Sequence, residues 1–280
     1  MKFRTLLTTL LSTTLVLSPF VANAEDENFR VRAHQLAVNE NTAEDIDAEV
    51  EFGKTIGARI LGQYTVYDNE KLIRYVNLVG RSLAFNSSRN DIDFYFTVLD
   101  ADFVNAYSTP GGYVFITKGA IAAMKNEAEL AAVLAHEVAH ISEKHIVKEF
   151  KIKGTDKSAT AGISQLLGSS SSSAKVAFSQ AVDNAVNMLL SKGFKHEDEL
   201  ESDKVAMLLM ASTGYNPNSL ISFLERMKSK SNKAENKEHK PTHPPTSSRI
   251  NALKSIAKEE GLDRIGLPVG ATRFAEYAIK

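Results

Sequence analysis

The stretch that most constrains this chain is His136-Glu137-Val138-Ala139-His140. It follows Asn126 to Ala135, a run of strong helix formers without Gly or Pro. On a helix, residues four apart share a face, so both imidazoles can point at one metal ion. Zn²⁺ takes imidazole nitrogen and favours tetrahedral sites, which two such histidines half fill. Glu137, rotated by one residue from His136, can miss the metal and still reach the water it activates, which is a general base's place. HExxH is short and arises by chance. Its surroundings argue for a site: Val133, Leu134, Val138 and Ala139 make the helix apolar around the histidines. Two buried imidazoles without a metal would both need hydrogen-bond partners.

The 280 residues are 43% hydrophobic and 24% charged, which suits one compact domain with or without an appendage. The first residues read as a secretory signal peptide. Lys2 and Arg4 precede an apolar, Thr-rich run from Leu6 to Leu17, and Ala22-Asn23-Ala24 fits a cleavage site. A mature start at Glu25 is expected, with residues 25–45 a loose lead-in and 46–280 the domain. The chain has no cysteine, so neither a disulfide nor a lipid-modified Cys is available. Its net charge of −1, with no basic patch, gives no sign of nucleic acid. No second apolar run is long enough to span a bilayer. Together these features place the protein in the bacterial periplasm or the medium.

Helices are expected over Ile46–Leu61 and over Glu70–Ala84, the second capped by Asn69. Asp93 to Leu99 is rich in aromatic and β-branched residues and reads as a strand. Asn105 to Thr117, with Pro110-Gly111-Gly112 at its centre, reads as a hairpin. Its second strand (Gly111, Gly112, Tyr113, Val114, Phe115) is expected to offer an edge on which an extended peptide could add. Helical patterns flank the Ser-rich stretch 168–173, at about 157–167 and 174–192. The acidic start His196 to Asp203 leads into an apolar helix. There Glu199 and Asp203 share a face, so one carboxylate can complete a zinc triad while the other bonds a ligating His. Glu201 faces nearly the opposite way, so only one of Glu199 and Glu201 should be a ligand. Asn216-Pro217 opens a further helix to about Lys228. Residues 229–242 read as an exposed loop before His243-Pro244. The last expected helix runs to Glu260 and is stopped by Gly261.

These motifs, in this order, resemble the HtpX/Oma-type gluzincin metallopeptidases. The resemblance is carried by HEVAH, by Glu199-Leu200-Glu201-Ser202-Asp203, by the Asn105–Tyr113 hairpin, and by His243-Pro244 with Arg249 six residues after the His. It is similar to the periplasmic, BepA- and LoiP-like members, without the former's helical-repeat domain or the latter's lipidation Cys. The resemblance implies an α+β, predominantly helical zincin-like fold with a small antiparallel sheet beside the HExxH helix. It implies one Zn²⁺ held by His136, His140 and Glu199, with Asp203 behind Glu199 and Glu137 as catalytic base. His243 matches a residue that can approach the metal and hold such enzymes inactive. His243 and Arg249 are also candidate donors to an oxyanion. A metzincin is excluded, since Glu143 and Ile146 stand where that pattern needs Gly and His. The expected activity is endoproteolysis of polypeptide substrates: damaged or misassembled envelope proteins, outer-membrane proteins or their assembly machinery among them. The rival reading is a chaperone-like module whose zinc is structural, with His243 as fourth ligand.

Overall fold

The structure, a computed structural model, describes residues 42–152, 172–231 and 242–278, and besides them Phe29, Val31 and Arg32. The signal sequence, the helical pattern at 157–167 and most of the stretches 168–173 and 229–242 lie outside the described residues.

The first helix, α1 (Ala43–Leu61), starts at a reciprocal cap. The Thr42 hydroxyl accepts from Asp45 N–H, and the Asp45 carboxylate accepts from Thr42 N–H. It buries Phe52, Ile56 and Ile60, spaced four apart along one face. In α2 (Glu70–Phe85), the Asn69 side chain accepts from Leu72 N–H at 3.0 Å, as its cap position predicts.

Three strands follow: β1 (Tyr95–Leu99), β2 (Ala106–Thr109) and β3 (Tyr113–Thr117). Their spatial order is β1-β3-β2. The sheet is therefore mixed rather than antiparallel: β3 is antiparallel to β2 and parallel to β1. The chain leaves β1, passes over one strand position, and fills the gap on the way back through the hairpin. This order also overturns the edge assignment. The residues Tyr113, Val114 and Phe115 are paired on both sides, and Gly111 and Gly112 lie in the turn. The edge beside the histidine helix is β2.

The turn explains its own glycines. Gly111 and Gly112 have φ of 75° and 92°, where side chains are strained. A Cβ on Gly53 of α1 would sit 1.7 Å from the Pro110 carbonyl oxygen, so helix and turn touch backbone to backbone.

The remaining helices wrap the one carrying HEVAH. After the short α3 (Lys118–Ala122) comes α4 (Glu127–Ser142), capped by Asn126 and buried over nearly its whole length. Next are α5 (His145–Phe150) and α6 (Ser172–Asn187), the latter continuing into a π-helical turn, Met188–Lys192. Then α7 (His196–Thr213) lies along α4, followed by α8 (Asn218–Ser231) and α9 (Ser247–Glu259). Gly261 ends this region with φ of 73°. It does not end the helices: α10 (Ala271–Tyr277) stacks Tyr277 on Tyr75 at 4.3 Å, and its Arg273 pairs with the buried Glu127 of α4.

Alternation in β3 divides the core. Val114 and Ile116 join the larger apolar cluster with α2, α4, α7, α8 and α9, while Phe115 joins a second with α1 and α6. Phe29 is buried in the larger cluster, and Arg32 pairs with Glu260 at 2.5 Å.

Candidate metal centre

The packing of α4 on α7 brings two i, i+4 pairs face to face: His136 and His140 from one helix, Glu199 and Asp203 from the other. The segment before α9 adds His243 from above. His136, His140, Glu199 and His243 are the one group among the described residues whose ligand atoms could hold a metal ion, all within 4.8 Å of one another. His136 Nε2 lies 3.1 Å from His140 Nε2, 3.3 Å from His243 Nδ1 and 3.5 Å from Glu199 Oε2. His140 Nε2 lies 3.4 Å from Glu199 Oε1. Ligands bound to zinc at about 2.0–2.1 Å in a tetrahedron are about 3.3–3.4 Å apart. The donors therefore have the type and the mutual spacing that zinc requires.

The surroundings are strongly charged and dry. Burial would push His136 down, but Asp203 and Glu199 outweigh it and bring it up to about 9. Burial, helped by the charge on His136, holds His140 well below the ordinary histidine value against the pull of Glu199. Two imidazoles this close cannot both carry a proton in the gap between them. Burial would raise Glu199, yet His243, His136 and His140 keep it well below the usual carboxylate range. Burial would raise Asp203 too; Arg249 beside it keeps it ionised.

Glu137 is buried next to this group. Its Oε2 accepts from the Ser108 hydroxyl of β2 at 2.8 Å, and its Oε1 lies 3.6 Å from His243 Nε2. The sequence pattern of Peptidase family M48 matches residues 69–257, which contain every one of these groups.

The chain belongs to peptidase family M48.

Among its relatives are proteins named beta-barrel assembly-enhancing protease. That of Yersinia pestis is 26% identical over 263 residues, covering 91% of this chain and 54% of the relative. That of Escherichia coli K12 is 23% identical over 221 residues, 76% of this chain and 45% of the relative. The mitochondrial metalloendopeptidase OMA1 of Schizosaccharomyces pombe is 28% identical over 226 residues, 78% of this chain and 61% of the relative. The chain thus spans about half the length of the curated relatives it matches.

Within this M48 domain the structure separates the two acidic alternatives. Glu199 faces the histidines, while Glu201 points away, its Oε2 3.0 Å from His145 Nε2. Arg249 is not placed to serve an oxyanion. Its Nε and Nη2 donate to the two Asp203 oxygens at 2.8 and 2.6 Å. Its Nη1 lies 2.6 Å from Glu199 Oε2 and donates to the Pro244 carbonyl. At 2% exposure the guanidinium is spent on holding the carboxylates.

Four residues of the site escaped the sequence reading. Ser108 holds Glu137; His145 faces His140 Nδ1 at 2.9 Å; Phe194 stacks on the His140 ring at 3.9 Å; and Glu49, paired with Arg89, accepts from Gly111 N–H behind the turn. Only His145 left a signal, a third histidine five residues beyond the second.

Proposed function

We propose that this chain is a zinc-dependent endopeptidase of exported proteins, unfolded or misassembled ones in particular. The observation that carries the reading is the tetrahedral spacing of His136, His140 and Glu199 with the Glu137 carboxylate beside them. His136, His140 and Glu199 would hold the metal. Zinc, when bound, supplies Lewis acidity toward the scissile carbonyl and acidifies the attacking water.

The chain's own groups do the rest. Glu137 takes the water's proton and passes it to the leaving amine. Ser108 keeps one Glu137 oxygen occupied, which fixes the other for that transfer. Asp203, locked by Arg249, sits 3.1 Å from His136 Nδ1 and orients that ring. The outer edge of β2, rather than β3 at the centre of the sheet, is where an extended substrate would add once the π-helical turn packed on it gives way.

The place of action we assign is the periplasm, after removal of residues 1–24, with 46–280 as the catalytic domain. The apolar N-terminal run supports this, as does the name of the bacterial relatives, which refers to assembly of β-barrels. No helix among the described residues is long and apolar enough to cross a membrane.

Cleavage of casein by the chain and by Glu137→Gln, compared at equal zinc occupancy, tests the reading. Wild-type cleavage falling at least about 100-fold in the variant is the expected result. Equal cleavage by both overturns it. One observation favours a second reading: His243 Nδ1, 2.8 Å from Glu199 Oε1, fills the fourth corner that a catalytic site keeps open. A latent enzyme gains activity on His243→Ala, whereas a holdase with structural zinc stays inactive.

A further inference from the structure

His140 has a second ring nitrogen, and the group that meets it is another imidazole. His140 Nδ1 and His145 Nδ1 face each other at 2.9 Å, and both rings are buried. His145 Nε2 in turn lies 3.0 Å from Glu201 Oε2, with Asp198 Oδ1 at 3.9 Å. The Ser202 hydroxyl is 3.5 Å from His145 Nδ1.

The chain path makes this meeting deliberate. On an unbroken helix His145, five residues after His140, would sit about 140° around the axis from it. Instead α4 stops at Ser142, and Lys144 takes the left-handed region with φ of 56°, uncommon for a residue with a side chain. That reversal starts α5 at His145 and turns its ring back under His140. Glu201 reaches the same place from the opposite face of α7 to the one that presents Glu199. Two carboxylates two residues apart thus approach His140 from opposite ends, one at Nε2 and one through His145.

Proton counting fixes the rest. Only one hydrogen fits between two ring nitrogens 2.9 Å apart. If His145 supplied it, His140 would have to carry its own proton on Nε2, where a metal would bind. Ligation by Nε2 therefore requires the hydrogen on His140 Nδ1 and a lone pair on His145 Nδ1. The other His145 nitrogen then carries its proton and donates to Glu201.

We propose that His145 is a positioning residue of the metal site, setting the tautomer and ring plane of His140, and that Glu201 sets His145. The proposal rests on His140 being a zinc ligand, as read above. Partners of this kind change metal affinity by about 10–100-fold in other sites.

The test is zinc affinity of the full chain, measured by competition with a chelator, alongside thermal melting of the metal-free protein. His145→Leu fills the space without an acceptor; His145→Asn keeps an oxygen near the place of Nδ1. The expected result is a 10–100-fold loss of affinity in His145→Leu, recovery to within about 5-fold of wild type in His145→Asn, and an intermediate loss in Glu201→Leu. Affinity unchanged in His145→Leu overturns the proposal. So does a loss equal in the Leu and Asn variants, which would mark His145 as packing alone, whatever the melting shows. A wild-type chain that binds no zinc would overturn the metallopeptidase reading itself, a result distinct from both.

Discussion

Along the outer edge of β1, the Asn77 side chain takes the place of a missing strand. Its amide donates to the Phe96 carbonyl at 2.7 Å, and its oxygen accepts from Phe96 N–H at 3.3 Å. Further along, Tyr67 N–H donates to Val98 and Asp100 N–H to Thr65, so that edge is closed. Along β2, no strand among the described residues pairs with the outer edge. Its side chains serve the site: Ser108 bonds Glu137, and Asn105 just before the strand accepts from Thr242, the neighbour of His243. An unpaired edge invites another chain to add. The protein seals that capacity far from the histidines and keeps it beside them, covered by side chains and by the π-helical turn that packs there. Alterations at the β1 edge should therefore touch stability, and alterations at the β2 side should touch the site.

The largest effect is expected apart from both edges, where α7 meets α9 behind the histidines, and there it is one of stability. Asp203→Ala leaves the Arg249 guanidinium buried with half its partners gone, at a cost of about 3–5 kcal/mol. A urea melt should show this, and a cost under about 1 kcal/mol would mean that Arg249 finds water.

Glu143, at the C-terminal end of α4, works the other way. Burial, reinforced by Glu201, pushes its carboxyl up to about 7, and its Oε1 has no hydrogen-bond partner. The carboxyl is thus neutral in the folded protein where the unfolded chain already ionises it. Stability from this group is complete below about pH 4.5 and is lost as pH rises through 7. Glu143→Gln should gain about 2–3 kcal/mol at pH 8 and much less at pH 5. Equal gains at both pH values would remove the ionisation argument.

Ser108→Ala deletes the link from β2 to the base. A roughly 10-fold fall in kcat is expected, with zinc content unchanged, because one hydrogen bond to a charged group is worth about 1.5 kcal/mol. Were KM alone to rise, Ser108 would belong to substrate binding.

The smallest effect lies at the sealed edge. Asn77→Ala should cost about 1 kcal/mol and leave casein cleavage per folded molecule intact. Light scattering should then report association through the opened β1 edge. A loss of cleavage there would break the division between the two edges.

The sequence alone is most telling where one element carries the whole pattern. The cap Asn69, the span of α2, and the shared face of His136 and His140 depend on residues within a few positions of each other. It misleads where partners are distant. The hairpin was legible, but not that β1 would pair with β3 and leave β2 at the edge. Arg249 was visible as a charged residue near a His-Pro pair, but its burial against Asp203 depends on how α9 meets α7. α10 carries a weak apolar pattern and is held by Glu127 and Tyr75, 146 and 202 positions away from Arg273 and Tyr277 respectively.

The sequence by itself determined the chemistry available: two imidazoles and a carboxylate on one helix, and two carboxylates on another, because helical periodicity fixes which side chains share a face. Tertiary structure alone decided how that chemistry is arranged. It turned Glu199 rather than Glu201 toward the histidines, put Ser108 against Glu137, and turned His145 back through a left-handed Lys144. Those choices follow from the packing of α7 and β2 on α4 and from one backbone angle, neither of which has a local period to read.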